Sequence, residues 1–386
     1  MSSICDPVYE RFLSENKNQN LVFSCKGKYW VGSNPEKPDY CGVASCLDNL
    51  LLNMKFLDLF LSSRIELQMW SFYDLNLIYT LTPSGVVVNK KNYTKFVKEV
   101  ISRYENRIHE TTDHLILVVK YKFGAKTITQ AYLSLENSVR STKFGEDFSK
   151  RWPKIKELID ALRAKGVDFV ACSEAGRDVF KTEARPLNGD IEAEVLHKWD
   201  FFVKDMEQSG YKQLCLSRNN EETFGPEQKR VSFGVALFIL NTDLMDDNEI
   251  KISYEEVHHK PMNSFGAGSV LLTISHKDEE LKTLFVHAPL NFAKPEDQNP
   301  FTDYFRMLNT WCMENNVAIV CGDLNTVDTS GEGPNGFDRF LTLLGEMSNF
   351  KIMMEKPKPT FFSAYIDNEV PKGDFPDLVS TLKASS

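Results

Sequence analysis

A series of short apolar runs, each closing on a polar residue, constrains this chain more than any other feature. AYLSLEN ends at Asn137, VDFVACSE at Glu174, LKTLFVH at His287, and NVAIVCGDLN at Asp323 and Asn325. Continuous apolar runs of this length read as strands buried on both faces. Between the first two, RWPKIKELIDALRAKG places Trp152, Ile155, Leu158, Ile159 and Leu162 on one helical face and stops at Gly166, the residue that most easily takes a left-handed helix end. Strand, helix and strand make a βαβ unit, so the fold class is α/β.

The same pattern continues to the C-terminus. VSFGVALFILN reads as a strand, VLLTISHKDEELKTLFVHAPLNF as a hairpin turning at 277–280, and Asn299-Pro300 as the start of a helix carrying Phe301, Phe305, Leu308 and Trp311. Residues 127–386 are therefore expected to form one α/β domain. Residues 1–126 read as a smaller α+β segment. In it, LDNLLLNMKFLDLFL (47–61) is expected to be a buried helix, 82–85 (TPSG) a turn, 93–107 a helix, and DHLILVVKYKFG a strand. Asp48, Lys55 and Asp58 interrupt the most apolar stretch well short of the ~18 residues that a membrane span needs.

Polar residues at the ends of separate strands can converge, because open α/β sheets place their sites there. A carboxylate and an amide meeting in this way suit a hard divalent cation and a phosphate. Glu174 and Asp323 are the candidate metal ligands for Mg²⁺, with Mn²⁺ as a substitute. Asp323, Asn325, His287 and Asn137 are the candidate catalytic residues. Taken singly each has a bland alternative as a solvated strand end or a turn residue. Gly-Asp-x-Asn after five apolar residues is the least ordinary as a mere loop.

In order, Asn137, Glu174, His287 and Gly322-Asp323-Leu324-Asn325 resemble the endonuclease/exonuclease/phosphatase superfamily. LHKWDFFVKDMEQSGYKQLCLSRNN followed by FGVALFILNTDLM is similar to its deadenylase and 2′,5′-phosphodiesterase branch. The resemblance implies a four-layer sandwich of two mixed β-sheets flanked by helices. It further implies Mg²⁺-dependent hydrolysis of a phosphodiester, as in a nuclease or nucleotide phosphodiesterase, or of a phosphomonoester. Glu174 would bind the metal with support from Asn137, Asp323 would orient or deprotonate water, and His287 and Asn325 would hold phosphate oxygens. One departure stands out. The family ends in a Ser-Asp-His turn, whereas no histidine follows His287 here, and the nearest echo is Gly373-Asp374-Phe375-Pro376. A catalytically inactive member acting as a binding or regulatory protein is thus a second reading.

A third reading concerns the N-terminal part. Cys41 precedes the expected helix, His114 opens a strand, and Asn137 ends the next one. This resembles the papain-like cysteine peptidases, in which a helix N-terminus stabilises the thiolate and a histidine acts as its base. Asn137 is claimed by both resemblances.

Charge and cysteine usage bound the partners. A net charge of −9 gives no footprint for duplex DNA, which is held largely by Lys and Arg, although a metal can concentrate positive charge in one pocket. The expected partner is a phosphate-ester substrate, with RNA or a nucleotide as the class and no membrane. The 8 Cys are scattered without metal spacing, and the opening residues lack a basic-then-apolar leader, so a reducing, cytoplasmic location is expected.

Overall fold

In a computed structural model, the structure describes residues 21–23, 30–32, 40–45, 48–105, 112, 114–135, 148–181, 202–219, 228–257, 268–288, 300–325, 343, 345–353 and 361–366. In chain order the elements begin with strands β1 (Leu21–Phe23), β2 (Trp30–Gly32), β3 (Tyr40–Ser45) and β4 (Asp48–Asn53). They continue with helix α1 (Leu57–Leu61), β5 (Ile65–Trp70), β6 (Leu77–Thr82), β7 (Gly85–Val88), α2 (Lys90–Glu105), β8 (Ile116–Phe123) and β9 (Lys126–Ser134). Then come α3 (Phe148–Ala164), β10 (Phe169–Lys181), β11 (Lys212–Asn219), β12 (Gln228–Ile239), β13 (Ile250–Glu256), β14 (Gly268–His276) and β15 (Glu279–His287). The last are α4 (Pro300–Glu314), β16 (Ile319–Asp323), β17 (Phe350–Ile352) and β18 (Phe361–Ile366).

The strands assemble into an 8-stranded sheet, β11-β12-β10-β9-β8-β5-β6-β7, a 6-stranded sheet, β13-β14-β15-β16-β4-β17, and a 4-stranded sheet, β1-β2-β3-β18. The first two are mixed, because β9 and β10 run parallel, as do β15 and β16, among antiparallel neighbours. Their facing sides share one core. Leu50, Leu52, Leu272, Phe285 and Ile319 from the smaller sheet pack with Leu117, Val119, Tyr121 and Tyr132 from the larger. Trp152, Ile155, Ile159 and Leu162 of α3 belong to the same apolar cluster and cover the larger sheet. Tyr304, Phe305, Leu308 and Cys312 of α4 pack on Leu51, Leu284, Val286 and Val320 of the smaller one. Helix, sheet, sheet and helix make the expected four layers.

The α3 stripe reads as anticipated. Gly166 ends it at φ 79°, and Val167 N–H bonds back to Leu162 O at 3.1 Å, closing the last turn. The turn at 82–85 joins β6 to β7, with the Thr82 hydroxyl donating to Gly85 O at 2.8 Å.

Two expectations about residues 1–126 are corrected. The stretch 47–61 is mostly not a helix. Its first half is β4, paired with β16 on one side and β17 on the other, and only Leu57–Leu61 is α-helical. Leu50, Leu51 and Leu52 are all fully buried, because a central strand covered on both faces needs apolar side chains at every position. The boundary at 126 also fails to separate two units. It falls in the β8–β9 hairpin, where Phe123 pairs with Lys126. β4 lies in the same sheet as β13–β16, and β5–β8 in the same sheet as β9–β12. Among the described residues, no helix is long and apolar enough to cross a membrane.

Candidate active site

Three adjacent strands of the smaller sheet bring their ends into one row. His287 on β15 pairs with Asp323 on β16, and Asp323 with Asp48 on β4. Residues in such register lie on the same face, here the one toward the larger sheet. Gly322 permits this approach. Its φ is +152°, and a Cβ there would stand 1.9 Å from Val286 O.

The larger sheet contributes Glu174, and His114 stands just ahead of its strand β8. β10 carries an irregularity between Ser173 and Gly176 that interrupts its pairing with β12, and Glu174 sits within it at φ 50°. Asn325 is also at φ 50°. A left-handed backbone on a non-glycine residue costs on the order of 1–3 kcal/mol and collects at functional sites. Asparagine tolerates it better than glutamate, and the Asn325 N–H is held by Asp323 Oδ1 at 2.8 Å. The Asn325 side chain donates to Ala288 O at 2.6 Å, while Ala288 N–H donates to Asp323 O at 2.7 Å. The Gly-Asp-Leu-Asn turn is thus locked to the end of β15.

His287 Nε2 lies 3.5 Å from Glu174 Oε1 and 3.8 Å from Asp323 Oδ2. Deeper in, His114 Nδ1 is 2.9 Å from Asp48 Oδ2. One donor atom from each of Asp48, His114 and Asp323 lies within 4.8 Å of the others, a spacing that can surround a cation. Asp48, His114, His287, Asp323 and Asn325 are buried, and Glu174 is the more exposed member. Burial is the main cause that raises Asp323 to about 6, and the Asp48 carboxylate raises it further against the opposing pull of His114 and His287. Two buried carboxylates side by side call for positive charge.

The structure therefore brings Glu174, His287, Asp323 and Asn325 together. Asn137 lies outside the described residues. Sequence reasoning missed Asp48 and assigned His114 to another chemistry. His114 follows Thr112 and Asp113 and opens an apolar strand, a Thr-Asp-His tripeptide comparable with the Ser-Asp-His turn sought near the C-terminus. It was legible to a motif search that ignored chain order. Asp48, inside an apolar run, was hidden by the helix reading. The peptidase arrangement does not form. Cys41 lies within strand β3, residues 48–53 are a strand rather than the required helix, and the His114 ring is bonded to Asp48.

No family model matches the sequence, and no curated protein matches it. Among solved structures, D. rerio TDP2 complexed with a single-strand DNA product aligns at 13% identity and a TM-score of 0.30, over 52% of this chain and 62% of that one. The chain therefore spans less than two thirds of that protein's length. A Bacteroides thetaiotaomicron endonuclease/exonuclease/phosphatase family protein aligns at 15% identity and a TM-score of 0.32, over 57% and 70%. A mannosyl-6-phosphatase of the same organism aligns at 16% and 0.31, over 56% and 70%.

Proposed function

We propose that this protein is a metal-dependent phosphoesterase of the endonuclease/exonuclease/phosphatase type. The observation that carries the reading is the meeting of Glu174, from the irregularity within β10, with His287 at the end of β15 and Asp323 and Asn325 at the end of β16, and the Asp48–His114 pair on the same cluster. The donor chemistry fits a hard divalent cation, since buried carboxylate oxygens crowd together without an internal Lys or Arg among the described cluster. Glu174 and Asp323 would hold it. Bound there, Mg²⁺ or Mn²⁺ would supply Lewis-acid stabilisation of phosphate charge.

The chain's own groups have separate tasks in this reading. Asp323 accepts a proton from water or orients it. His287, whose Nε2 lies 3.5 Å from Glu174 Oε1 and 3.8 Å from Asp323 Oδ2, would contact phosphate oxygens. Asn325 fixes the turn that carries Asp323. Asp48 anchors His114 at Nδ1, which sets the tautomer and assigns proton exchange to Nε2. Asn137 remains a proposed supporting ligand. Thr112-Asp113-His114 takes the place of the absent C-terminal motif, so the elements that end the resembled fold stand first in this chain. That removes the motive for an inactive family member. The substrate class we favour is a nucleotide or RNA rather than duplex DNA, in keeping with the charge of −9.

The test is hydrolysis of bis(p-nitrophenyl) phosphate with Mg²⁺, compared with chelator. Turnover should require the metal and fall by about 10²–10⁴ in Asp323→Ala and Glu174→Ala. Equal turnover in wild type and both variants would refute the assignment.

A further inference from the structure

Strand β10 does not stop at the site. Past the irregularity that carries Glu174 it runs on to Lys181, paired with β12 from Gly176 opposite Phe233 to Lys181 opposite Gln228. Its pairing with β9 ends at Ser173, and β11 ends opposite Ser232. Among the described residues, the outer part of this extension is therefore a two-stranded ribbon. Its six pairs, at about 3.3 Å per residue, make it roughly 20 Å long.

The ribbon differs in charge from the chain that bears it. Its two strands, GRDVFK and QKRVSF, carry Arg177, Lys181, Lys229 and Arg230 against one acid, Asp178, on a chain whose net charge is −9. Register orders these cations. Positions along a strand alternate between faces, so Arg177, Val179 and Lys181 share one face with Ser232, Arg230 and Gln228 opposite them, while Asp178 and Lys229 lie on the other. The first face thus holds three cations and no acid. Arg230, opposite Val179, falls midway between Arg177 and Lys181, so successive cations stand about 6–7 Å apart along the ribbon. That step is comparable with the distance between neighbouring phosphates of an extended polynucleotide strand. Like charges on diagonal neighbours of a ladder oppose folding. Lysine on an edge strand does discourage pairing with other chains, but that protection requires no particular spacing or sign.

We propose that the β10–β12 ribbon is a track for the phosphate backbone of a single-stranded polynucleotide, with Arg177, Arg230 and Lys181 taking successive phosphates of the strand that leaves Glu174. Cleavage of that strand rests on the phosphoesterase reading; its binding does not. Between a nucleotide and RNA, the ribbon selects the longer ligand. A mononucleotide offers its phosphate to one position of the row, whereas a strand engages all three. A duplex spreads its charge over two backbones, and a single row on an acidic chain meets only one of them.

Binding is read with a fluorescein-labelled oligouridylate in chelator, where metal-dependent cleavage does not intervene, over a range of salt. For single strands the logarithm of affinity falls with that of salt by about 0.7 per phosphate neutralised. Substituting Arg177→Gln, Arg230→Gln and Lys181→Gln together should flatten the wild-type slope by about 2 and weaken binding about tenfold or more at low salt. Arg230→Gln alone should flatten it by about 0.7, which keeps the test open if the triple variant fails to fold. Lys90→Gln, Lys91→Gln and Lys98→Gln together remove the same charge from exposed positions of α2 and should leave slope and affinity near wild type. An equal loss there would reduce the effect to net charge and overturn the track. So would an unchanged slope in the ribbon variants, or uridine monophosphate or oligoglutamate binding as tightly as oligouridylate. Turnover of bis(p-nitrophenyl) phosphate with Mg²⁺ should stay at the wild-type level in the ribbon variants, because that substrate is too short to reach the row. Turnover lost with the fold intact would put these cations in the catalytic site and overturn the track. If wild-type protein shows no metal-dependent turnover of the diester, the phosphoesterase reading falls, and the salt slopes still decide the track.

Discussion

At the scale of single residues, the site is built by what would otherwise be local faults. Gly322 accepts a backbone that a Cβ would drive into Val286. Gly322→Ala should cost about 3 kcal/mol or more in urea unfolding, since overpacking against backbone has no flexible atom to displace. Asp323 carries a different cost. Burial and the neighbouring Asp48 carboxylate raise its pKa from the ordinary carboxylate range to about 6, so the folded state favours its protonated form. The stability linked to this group is fully present below about pH 4 and is lost as pH rises through about 6. In metal-free protein Asp323→Asn should therefore melt higher than wild type at pH 8, by about 2–3 kcal/mol, and the gap should shrink as pH falls below about 6. Thermal melts across that range check the sign, and a variant that melts lower at every pH counts against it. Asp48→Asn tests the anchor of His114. Turnover of the model diester should fall about 10- to 100-fold with KM nearly constant, because the ring loses its held tautomer rather than a substrate contact; unchanged kcat would exclude that role.

At the scale of elements, legibility follows how local the deciding forces are. The α3 stripe declares itself because an amphipathic helix covering a sheet needs only its own 3.6-residue period. The strands that carry Glu174, His287 and Asp323 were readable because apolar runs of that length have few other uses, although β10 runs on past Glu174 to Lys181. β4 was not readable. Leu50, Leu51 and Leu52 of LDNLLLN are consecutive, and nothing in their periodicity distinguishes a buried helix from a central strand. Its pairing with β16 and β17, from the other end of the chain, decides the matter. The strand geometry makes its own prediction. Leu50 faces the core between the sheets and Leu51 faces α4, so Leu50→Ala and Leu51→Ala should each lose about 2–5 kcal/mol in denaturant. A segment with only one buried face would spare one of them. Asp168, one residue before β10, marks the contrast between structural and functional acids. One of its oxygens accepts from Thr129 N–H and the other from Asn241 Nδ2, both at 2.8 Å, and it lies outside the cluster of Asp48, His114 and Asp323.

At the scale of the whole molecule, the ordered set Glu174, His287 and Asp323–Asn325, which the fold brings together, was legible because it runs forward in sequence. The place of His114 beside Asp323 was not legible, because the resemblance points to a histidine downstream of the Gly-Asp-x-Asn turn. Asp48 and His114 enter from the N-terminal side, Asp48 on β4 beside β16 and His114 just before β8, the strand beside β9. This interleaving has a direct consequence for dissection. Fragments 1–126 and 127–386 should each fail to fold alone, since the second lacks β4 between β16 and β17 and the first lacks both neighbours of β4 and the β9 neighbour of β8. A circular permutant is the sharper experiment. Opening the β8–β9 turn between Gly124 and Ala125, and joining residue 386 to residue 1 by a flexible linker, would set β9 first and place Asp48 and His114 last. Hairpin turns at the surface are where a chain best tolerates such cuts, and the turn residue Gly124 at φ 61° makes no close contact. The permutant should keep a cooperative melt, the near-ultraviolet circular dichroism of the parent and turnover of the model diester within about tenfold. A permutant that stays unfolded while the parent melts cooperatively would mean that the N-terminal strands must form before β9, and that their place at the front of the chain is required for folding.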